Sequence, residues 1–230
     1  MLLVLWAHWP WLIAGAFIGF WLVPLARIIP RKVLHHAQAS MEDWVGPGGG
    51  LDRPVPPARR IWVQLINAVL WASAAVSHTV FPAMLLWAIL ASALVLLALI
   101  DWDTTMLPDW IVLPTGLAGL VGSYAGFTSQ NLLFSALSAA CVLFVLGGLA
   151  LLFLRIRGTS GIGGGDLKLL AALAAWWGVL GVFYIVWWAS IGTVIWNLLW
   201  RRFKGLSPEA EWPFGPAIVV AALLWGLWAA

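Results

Sequence analysis

The chain has 230 residues, of which 63% are hydrophobic and only 9% carry a charged side chain. Soluble domains carry about 25% charged residues, so this composition excludes a soluble fold and predicts an all-α polytopic membrane protein. The formal charge of +3 therefore bears on membrane orientation, and no nucleic-acid partner is expected.

Eight apolar segments follow one another, most of them near the ~20 residues that a transmembrane helix needs. They cover residues 8–27, 61–77, 80–100, 110–126, 132–154, 166–178, 179–200 and 213–229. The sixth segment is short, and Gly178 marks its predicted boundary with the seventh. No Lys or Arg precedes the first segment, so we predict a spanning helix with a periplasmic N-terminus and not a cleaved signal peptide.

The charged residues support this assignment of spans. With the N-terminus outside, all 12 Lys and Arg residues fall on one side of the membrane, and the 9 Asp and Glu residues follow them. The opposite connections, near residues 77–80, 126–131 and 178, carry no positive charge. The positive-inside rule then makes the charged side cytoplasmic.

The long polar connection runs from Ile28 to Arg60 and lies on the predicted cytoplasmic side. Its Gly/Pro-rich parts, residues 46–50 and 54–57, do not favour regular structure. Its basic residues suit contact with the anionic surface of membrane lipid.

Three carboxylates stand where the third apolar segment ends, at Asp101, Asp103 and Asp109. A charged group at the end of a spanning helix is a functional-site hypothesis, because charge at this depth is costly. The alternative is that these are solvated acidic residues at a helix end, and this alternative stays open for Asp103 and Asp109.

A second charged stretch starts the sixth segment, where Gly161, Gly163, Gly164 and Gly165 precede Asp166, and Lys168 follows. Glycine-rich backbone allows another chain to approach closely. The stretch is not a phosphate-binding P-loop, because no Gly-Lys-Ser/Thr is present. A flexible linker is the alternative for the glycines. Lys168 either orients Asp166, binds a substrate carbonyl, or extends to the membrane interface.

Asp101 and Asp166 lie far apart in the chain but at the same predicted membrane depth. Two carboxylates held close share one proton, so one can accept a proton from water while the other hydrogen-bonds a scissile carbonyl. Asp166 begins a helix, where a negative charge is favoured, and Asp101 ends one. We therefore predict that Asp166 is the ionised base and that Asp101 holds the proton.

Two prolines flank a glycine where the last segment opens, in the stretch Pro213, Phe214, Gly215 and Pro216. Such a sequence frees backbone groups near the membrane face. The stretch either lines a cleft or only starts the helix.

Together these stretches resemble the type IV leader peptidase family, the Gly-x-Gly-Asp aspartyl proteases. The resemblance implies a multi-pass endopeptidase of the bacterial inner membrane, with its active site at the cytoplasmic face. It implies cleavage of a basic leader from prepilins or pseudopilins, in type IV pilus or type II secretion systems, after a glycine. By position, Asp101 and Asp166 are the catalytic pair, Asp103 is the fallback for the first, and proteolysis needs no cofactor.

The N-terminal part departs from that family. Many members carry paired Cys-x-x-Cys zinc motifs in a cytoplasmic domain that methylates the new N-terminus, whereas the only cysteine here is Cys141. We expect no zinc or other metal, and S-adenosylmethionine would be needed only if methylation is retained. The expected division is residues 1–78, with a variant methyltransferase-like loop between two spans, and residues 79–230, a six-span peptidase domain.

A function of another class remains open at this stage. A proton-coupled membrane transporter also uses intramembrane carboxylates and broken helices. Against it, the carboxylates cluster at one face and no inverted repeat is visible in the sequence.

Overall fold

A computed structural model describes residues 8–40, 44–158, 163–204 and 213–229. These ranges are helical apart from short connections, which confirms the predicted all-α class. The helices are α1 Trp9–His36, α2 Pro57–Ser77, α3 Phe81–Thr104, α4 Asp109–Tyr124, α5 Leu132–Arg157, α6 Gly164–Lys204 and α7 Gly215–Ala229. Four of them, α1, α3, α5 and α6 as far as Trp200, are long and apolar enough to cross a membrane.

Local chemistry accounts for where several helices begin and end. Pro57 opens α2, where a missing N–H costs nothing. The side chain of Asn131 caps α5 by accepting a hydrogen bond of 3.0 Å from the backbone N–H of Phe134. Thr105, with φ 52°, and Gly158, with φ 72°, end α3 and α5 in the left-handed conformation that commonly stops a helix.

The polar connection predicted from Ile28 to Arg60 is shorter in the structure. It occupies only residues 37–56, because α1 continues to its end at His36 and α2 starts earlier than expected. The added part of α1, residues 28–36, keeps a buried face, since Pro30 and Leu34 are buried in line with Ala26 one turn earlier. A helix with such a face is stabilised by packing even where charged residues interrupt the apolar run.

Helix α3 lies at the centre and packs against α1, α2, α4 and α7. One set of its side chains, including Leu94 and Leu97, belongs to the core shared with α4, α6 and α7. Another set, including Val95, Leu96 and Ile100, belongs to the core shared with α1 and α2. The two sides of α3 therefore face two different parts of the molecule.

Helix α6 turns back on itself at Gly178, whose φ of 71° and ψ of −178° interrupt the helix. The start of α6 places Asp166 close enough to Asp101 for their charges to interact, while Trp200 near its end contacts the ring of Trp102 at 6.1 Å between centroids. A straight helix would separate residues 166 and 200 by about 50 Å. Residues 164–177 and 179–204 therefore form two arms that return to the same end of α3.

The turn at Gly178 is held by its neighbours. A Cβ at this position would meet the flexible end of the Gln130 side chain, which can move, so the positive φ is what favours glycine here. The hydroxyl of Ser135 donates a hydrogen bond of 2.8 Å to the carbonyl of Ala175, in the last turn of the first arm. This bond satisfies a carbonyl near the break in the helix. The predicted boundary between the sixth and seventh apolar segments coincides with this turn.

Candidate active site

Asp101 lies in the last turn of α3 and is only 4% exposed. Its Oδ2 atom is buried and has no hydrogen-bond partner among the described residues. A buried carboxylate oxygen without a partner is costly, so its retention points to a role other than stability.

The first residue of α7 packs directly against Asp101. A Cβ added to Gly215 would lie 2.6 Å from Asp101 Oδ2, closer than any real contact, so only glycine fits here. The backbone N–H of Gly215 interacts with the same carboxylate. Pro213 and Gly215 are both buried, and α7 begins at this point. The carboxylate thus faces the N-terminal end of α7, where Gly215 offers its N–H. Pro216 has no N–H, and the N–H groups of Ala217 and Ile218 donate to the carbonyl of Phe214.

Asp166 lies in the first turn of α6 and is partly exposed. Its charge interacts repulsively with that of Asp101. Gly165 permits this approach, because a Cβ there would lie 2.9 Å from the Cβ of Leu107, in the segment that follows α3. The structure therefore brings together two carboxylates that are 65 positions apart in the sequence.

Gly163 precedes α6 and lies close to the carboxylate of Asp166. A Cβ at Gly163 would lie 3.1 Å from Asp166 Oδ2. Its carbonyl accepts a hydrogen bond of 3.1 Å from the N–H of Leu167, which closes the first turn. Gly161 lies outside the described residues.

Asp103 points to the opposite side of α3 from Asp101 and is fully buried. Its Oδ1 accepts a hydrogen bond of 2.8 Å from Nη1 of Arg59, and its Oδ2 lies 3.2 Å from Nε of Arg27. The two arginines come from α2 and α1. Because helical residues two positions apart are rotated by about 200°, Asp101 and Asp103 cannot share a face.

The loop between α1 and α2 closes over Asp103. The N–H of Gly46 donates to the carbonyl of Asp103 at 2.8 Å, and the N–H of Gly48 donates to the carbonyl of Trp102 at 2.9 Å. A Cβ at Gly48 would clash with Asp103 Oδ1. Arg27 also donates to the carbonyl of Leu51 at 2.6 Å. Asp103 is thus the anchor of the N-terminal loop, and it does not face Asp166.

Asp109 and Lys168 form a partly exposed ion pair. The Nζ of Lys168 lies 2.7 and 2.9 Å from the two carboxylate oxygens of Asp109, and both side chains are 45% exposed. The pair joins the first turn of α4 to the first turn of α6. Lys168 therefore contacts Asp109, a partner that the sequence did not suggest.

Sequence reasoning missed the two arginines that hold Asp103. It placed Arg27, Arg59 and Asp103 on one side of the membrane but did not pair them. The available signal was depth, because charged residues near the ends of spanning helices need partners and these three share a level. Within the described ranges no three His, Cys, Asp or Glu residues cluster as metal ligands would. The loop over Asp103 has no cysteine, so the zinc motifs implied by the resemblance do not fit it.

Comparison with known proteins gives one family and several relatives. Residues 88–198 match the type IV leader peptidase family, a range that contains Asp101 and Asp166 and ends before Gly215. A protein from Aeromonas hydrophila, named prepilin leader peptidase/N-methyltransferase, is 34% identical over 223 residues, which cover 88% of this chain and 74% of the relative.

Two further relatives carry the same name. The protein from Pseudomonas aeruginosa is 35% identical over 153 residues, covering 62% of this chain and 48% of its own length. The protein from Xanthomonas campestris is 35% identical over 144 residues, covering 61% and 48% respectively. The chain thus spans about half the length of these two relatives. No solved structure matches it.

Proposed function

The chain belongs to the type IV leader peptidase family, and we propose that it is a membrane aspartyl endopeptidase that removes the leader from prepilins or pseudopilins. The observation that carries this proposal is the meeting of Asp101 and Asp166 at the ends of α3 and α6. Two carboxylates in a low-dielectric site, with a shared proton, are the machinery of aspartic proteases.

The proposed reaction uses one water and both carboxylates. The ionised carboxylate, assigned to Asp166, accepts a proton from water as the water oxygen attacks the scissile carbonyl carbon. The protonated carboxyl, assigned to Asp101, gives its proton to the carbonyl oxygen, which yields a neutral tetrahedral diol. When the C–N bond breaks, Asp166 returns its proton to the leaving nitrogen and Asp101 regains one from the diol. Both carboxyl groups then stand as they began, so the cycle needs no cofactor.

The proposed substrate is a basic leader followed by an apolar helix, cut after a glycine. The helix would lie in the bilayer, and the bond to be cut would then meet the carboxylate pair on the cytoplasmic side of the membrane. The negative charge of Asp166, with the other acidic residues on the proposed cytoplasmic side, would attract the basic leader.

We propose that the chain crosses the bacterial inner membrane eight times with its N-terminus in the periplasm. The seven described helices, with α6 turned back at Gly178, supply the segments for this topology. The one-sided distribution of Lys and Arg in the sequence supports the orientation. Membrane lipid would then surround the apolar side chains exposed on α5, α6 and α7.

We propose that residues 79–230 form the peptidase unit and residues 1–78 an N-terminal unit. The relatives' names include an N-methyltransferase activity, which here would require S-adenosylmethionine as methyl donor. Incubating a cleaved pilin with labelled S-adenosylmethionine tests this part directly. Label at the new N-terminus would assign methylation to the chain, and its absence beside active cleavage would remove it.

A cleavage assay with three asparagine variants tests the peptidase proposal. The purified protein in detergent is incubated with a prepilin, beside Asp101→Asn, Asp166→Asn and Asp103→Asn. Cleavage lost in the first two but kept in the third is expected, because only Asp101 and Asp166 face each other. Loss in Asp103→Asn with retention in Asp101→Asn would move the catalytic position by two residues. The transporter alternative is not favoured, since the relatives carry peptidase names.

A further inference from the structure

A large apolar groove runs between the second arm of α6 and helix α7. It encloses about 1100 Å³. Aromatic side chains form much of its wall, among them Trp188, Trp196, Trp225 and Trp228. The mechanism described above uses none of these residues.

One end of the groove reaches the carboxylate pair. Trp102, which follows Asp101 in the chain, lines the groove, and so do Pro213 and Pro216. Those two prolines flank Gly215, the residue that packs against Asp101 Oδ2. A molecule lying in the groove would therefore have one end beside Asp101.

The floor of the groove is built from small residues. Ala217 and Ala221 lie four positions apart on α7, and Ala189 and Gly192 face them from α6. Small residues at this spacing let another helix approach closely within a membrane. A Cβ at Gly192 would meet nothing within 4 Å, so this part of the floor is open.

We propose that this groove holds the apolar helix that follows the cleavage site of the substrate, with the site itself at the Asp101 end. The inference rests on the proposed function and adds where the substrate is held. Residues 216–228 of α7 extend about 18 Å, which matches about 12 residues of a docked helix. An acyl chain would also be apolar, but it supplies no peptide bond to the carboxylates at the groove's end.

A bulky residue in the groove tests the proposal through two substrates. Gly192→Leu adds a side chain to the open floor, and Gly148→Leu on α5 is the matched control, because a Cβ at Gly148 also meets nothing within 4 Å. With a full-length prepilin, we expect Gly192→Leu to raise KM at least tenfold. With a leader peptide that stops a few residues after the cleavage site, both variants should match the wild type.

Three results of this assay would overturn the groove proposal. They are unchanged KM for Gly192→Leu on the full-length prepilin, an equal loss on both substrates, and an equal loss in Gly148→Leu. In each of these the wild type still cleaves, so the proposed function stands. If the wild type cleaves no substrate, the proposed function fails instead.

Crosslinking supplies a readout that does not need cleavage. A photoreactive phenylalanine derivative replaces Val220 in the groove or Phe144 on α5, both exposed apolar positions, in the Asp166→Asn protein. We expect Val220 alone to crosslink to the apolar helix of a bound prepilin. Crosslinks from Val220 only to lipid, or only to a second copy of the chain, would overturn the proposal.

Discussion

The last turn of α3 carries one aspartate on each of two opposite sides, and the two aspartates lie in opposite environments. On one side Asp101 meets a second carboxylate and keeps a buried oxygen without a partner among the described residues. On the other side Asp103 is held by Arg27 and Arg59. Two acidic positions separated only by Trp102 are thus divided between an unfavourable arrangement suited to chemistry and a favourable one suited to stability.

The difference also separates two parts of the chain. The Asp101 side is built from α6 and α7, and the Asp103 side from α1, α2 and the loop between them. The loop is fixed by charge and by backbone hydrogen bonds from Gly46 and Gly48, without any cysteine. The comparison therefore predicts that damage on one side lowers the cleavage rate and that damage on the other lowers stability.

The largest expected effect is that of Asp101→Asn. Cleavage should fall by at least about a thousandfold, the scale seen when one member of a catalytic group that acts as a unit is removed. Thermal unfolding in detergent should stay unchanged or move upward, because asparagine has nearly the same shape and removes a buried carboxyl oxygen that has no partner among the described residues. The proposed division, in which Asp101 serves cleavage and Asp103 serves stability, would be contradicted by either of two results. One is cleavage by Asp101→Asn at more than a tenth of the wild-type rate, and the other is unfolding at a much lower temperature.

Removing Asp103 should act on stability. Asp103→Leu leaves two arginines in a largely buried place without their carboxylate, which costs about 3–5 kcal/mol. The unfolding midpoint should drop sharply, and protease should cut the loop at residues 44–56 sooner. Adding Arg27→Met and Arg59→Met to Asp103→Leu should recover much of the loss, because the buried charge is then removed. Failure of that triple variant to recover would show that the cluster does more than hold the loop.

Gly215→Ala is expected to displace the carboxylate of Asp101 while leaving the residue in place. The added Cβ would lie 2.6 Å from Oδ2, so the carboxylate must shift. A displacement of about 1 Å in a reacting group costs about a hundredfold in rate, and we expect a loss of roughly 10–100-fold in kcat. Gly148→Ala on α5, where the space is open, is the control and should cleave normally.

Gly48→Ala is the counterpart on the other side of α3. Its Cβ would clash with Asp103 Oδ1, and the loop must move to relieve the contact. We expect a loss of about 1–3 kcal/mol in stability, the range for overpacking, with kcat for the folded protein within about twofold of wild type. If Gly48→Ala lowered kcat more than Gly215→Ala does, the assignment of catalysis to the Asp101 side and of stability to the Asp103 side would be wrong.

The smallest effect belongs to the ion pair between Asp109 and Lys168. Both side chains are about half exposed, and such pairs contribute only about 0–1 kcal/mol. Lys168→Met should therefore change stability little and the cleavage rate by about threefold or less. Exchanging the charges, with Asp109→Lys and Lys168→Asp together, should restore the wild-type rate. A large loss in Lys168→Met that the exchange leaves uncorrected would give Lys168 a direct contact with substrate.

Much of the fold could be predicted from the sequence, because the length and polarity of an apolar segment indicate a membrane helix. The bounds of α4 and α5 agree with the predicted segments to within about three residues, and glycine in an apolar run predicted the turn at Gly178. The end of α1 was missed, because the charges at Arg27 and Arg31 interrupt the apolar run while the helix continues. Its buried face, not its hydropathy, sets that length.

The candidate site was partly predictable. The depth of the two spans placed Asp101 and Asp166 at one level, and their catalytic roles stay a prediction. The contacts of Asp103 could not be derived, because they join positions 44 and 76 residues away through the packing of three helices. The role of Gly215 was hidden for a similar reason. A glycine between prolines indicates a helix start, but only the packed structure shows what lies against it.

In the proposed topology, the turn at Gly178 sets the depth of the two carboxylates in the membrane. Residues 164–177 rise only about 21 Å, whereas the hydrocarbon core of a bilayer is about 30 Å thick. With Gly178 level with the far surface of the core, Asp166 is about 18 Å from that surface and therefore about 12 Å below the near one. Under the proposed function, a substrate would have to be drawn down into the membrane to be cut, and water would have to reach the same depth. The length of the surrounding acyl chains would then affect the proposed hydrolysis, with thin bilayers favouring it and thick ones opposing it.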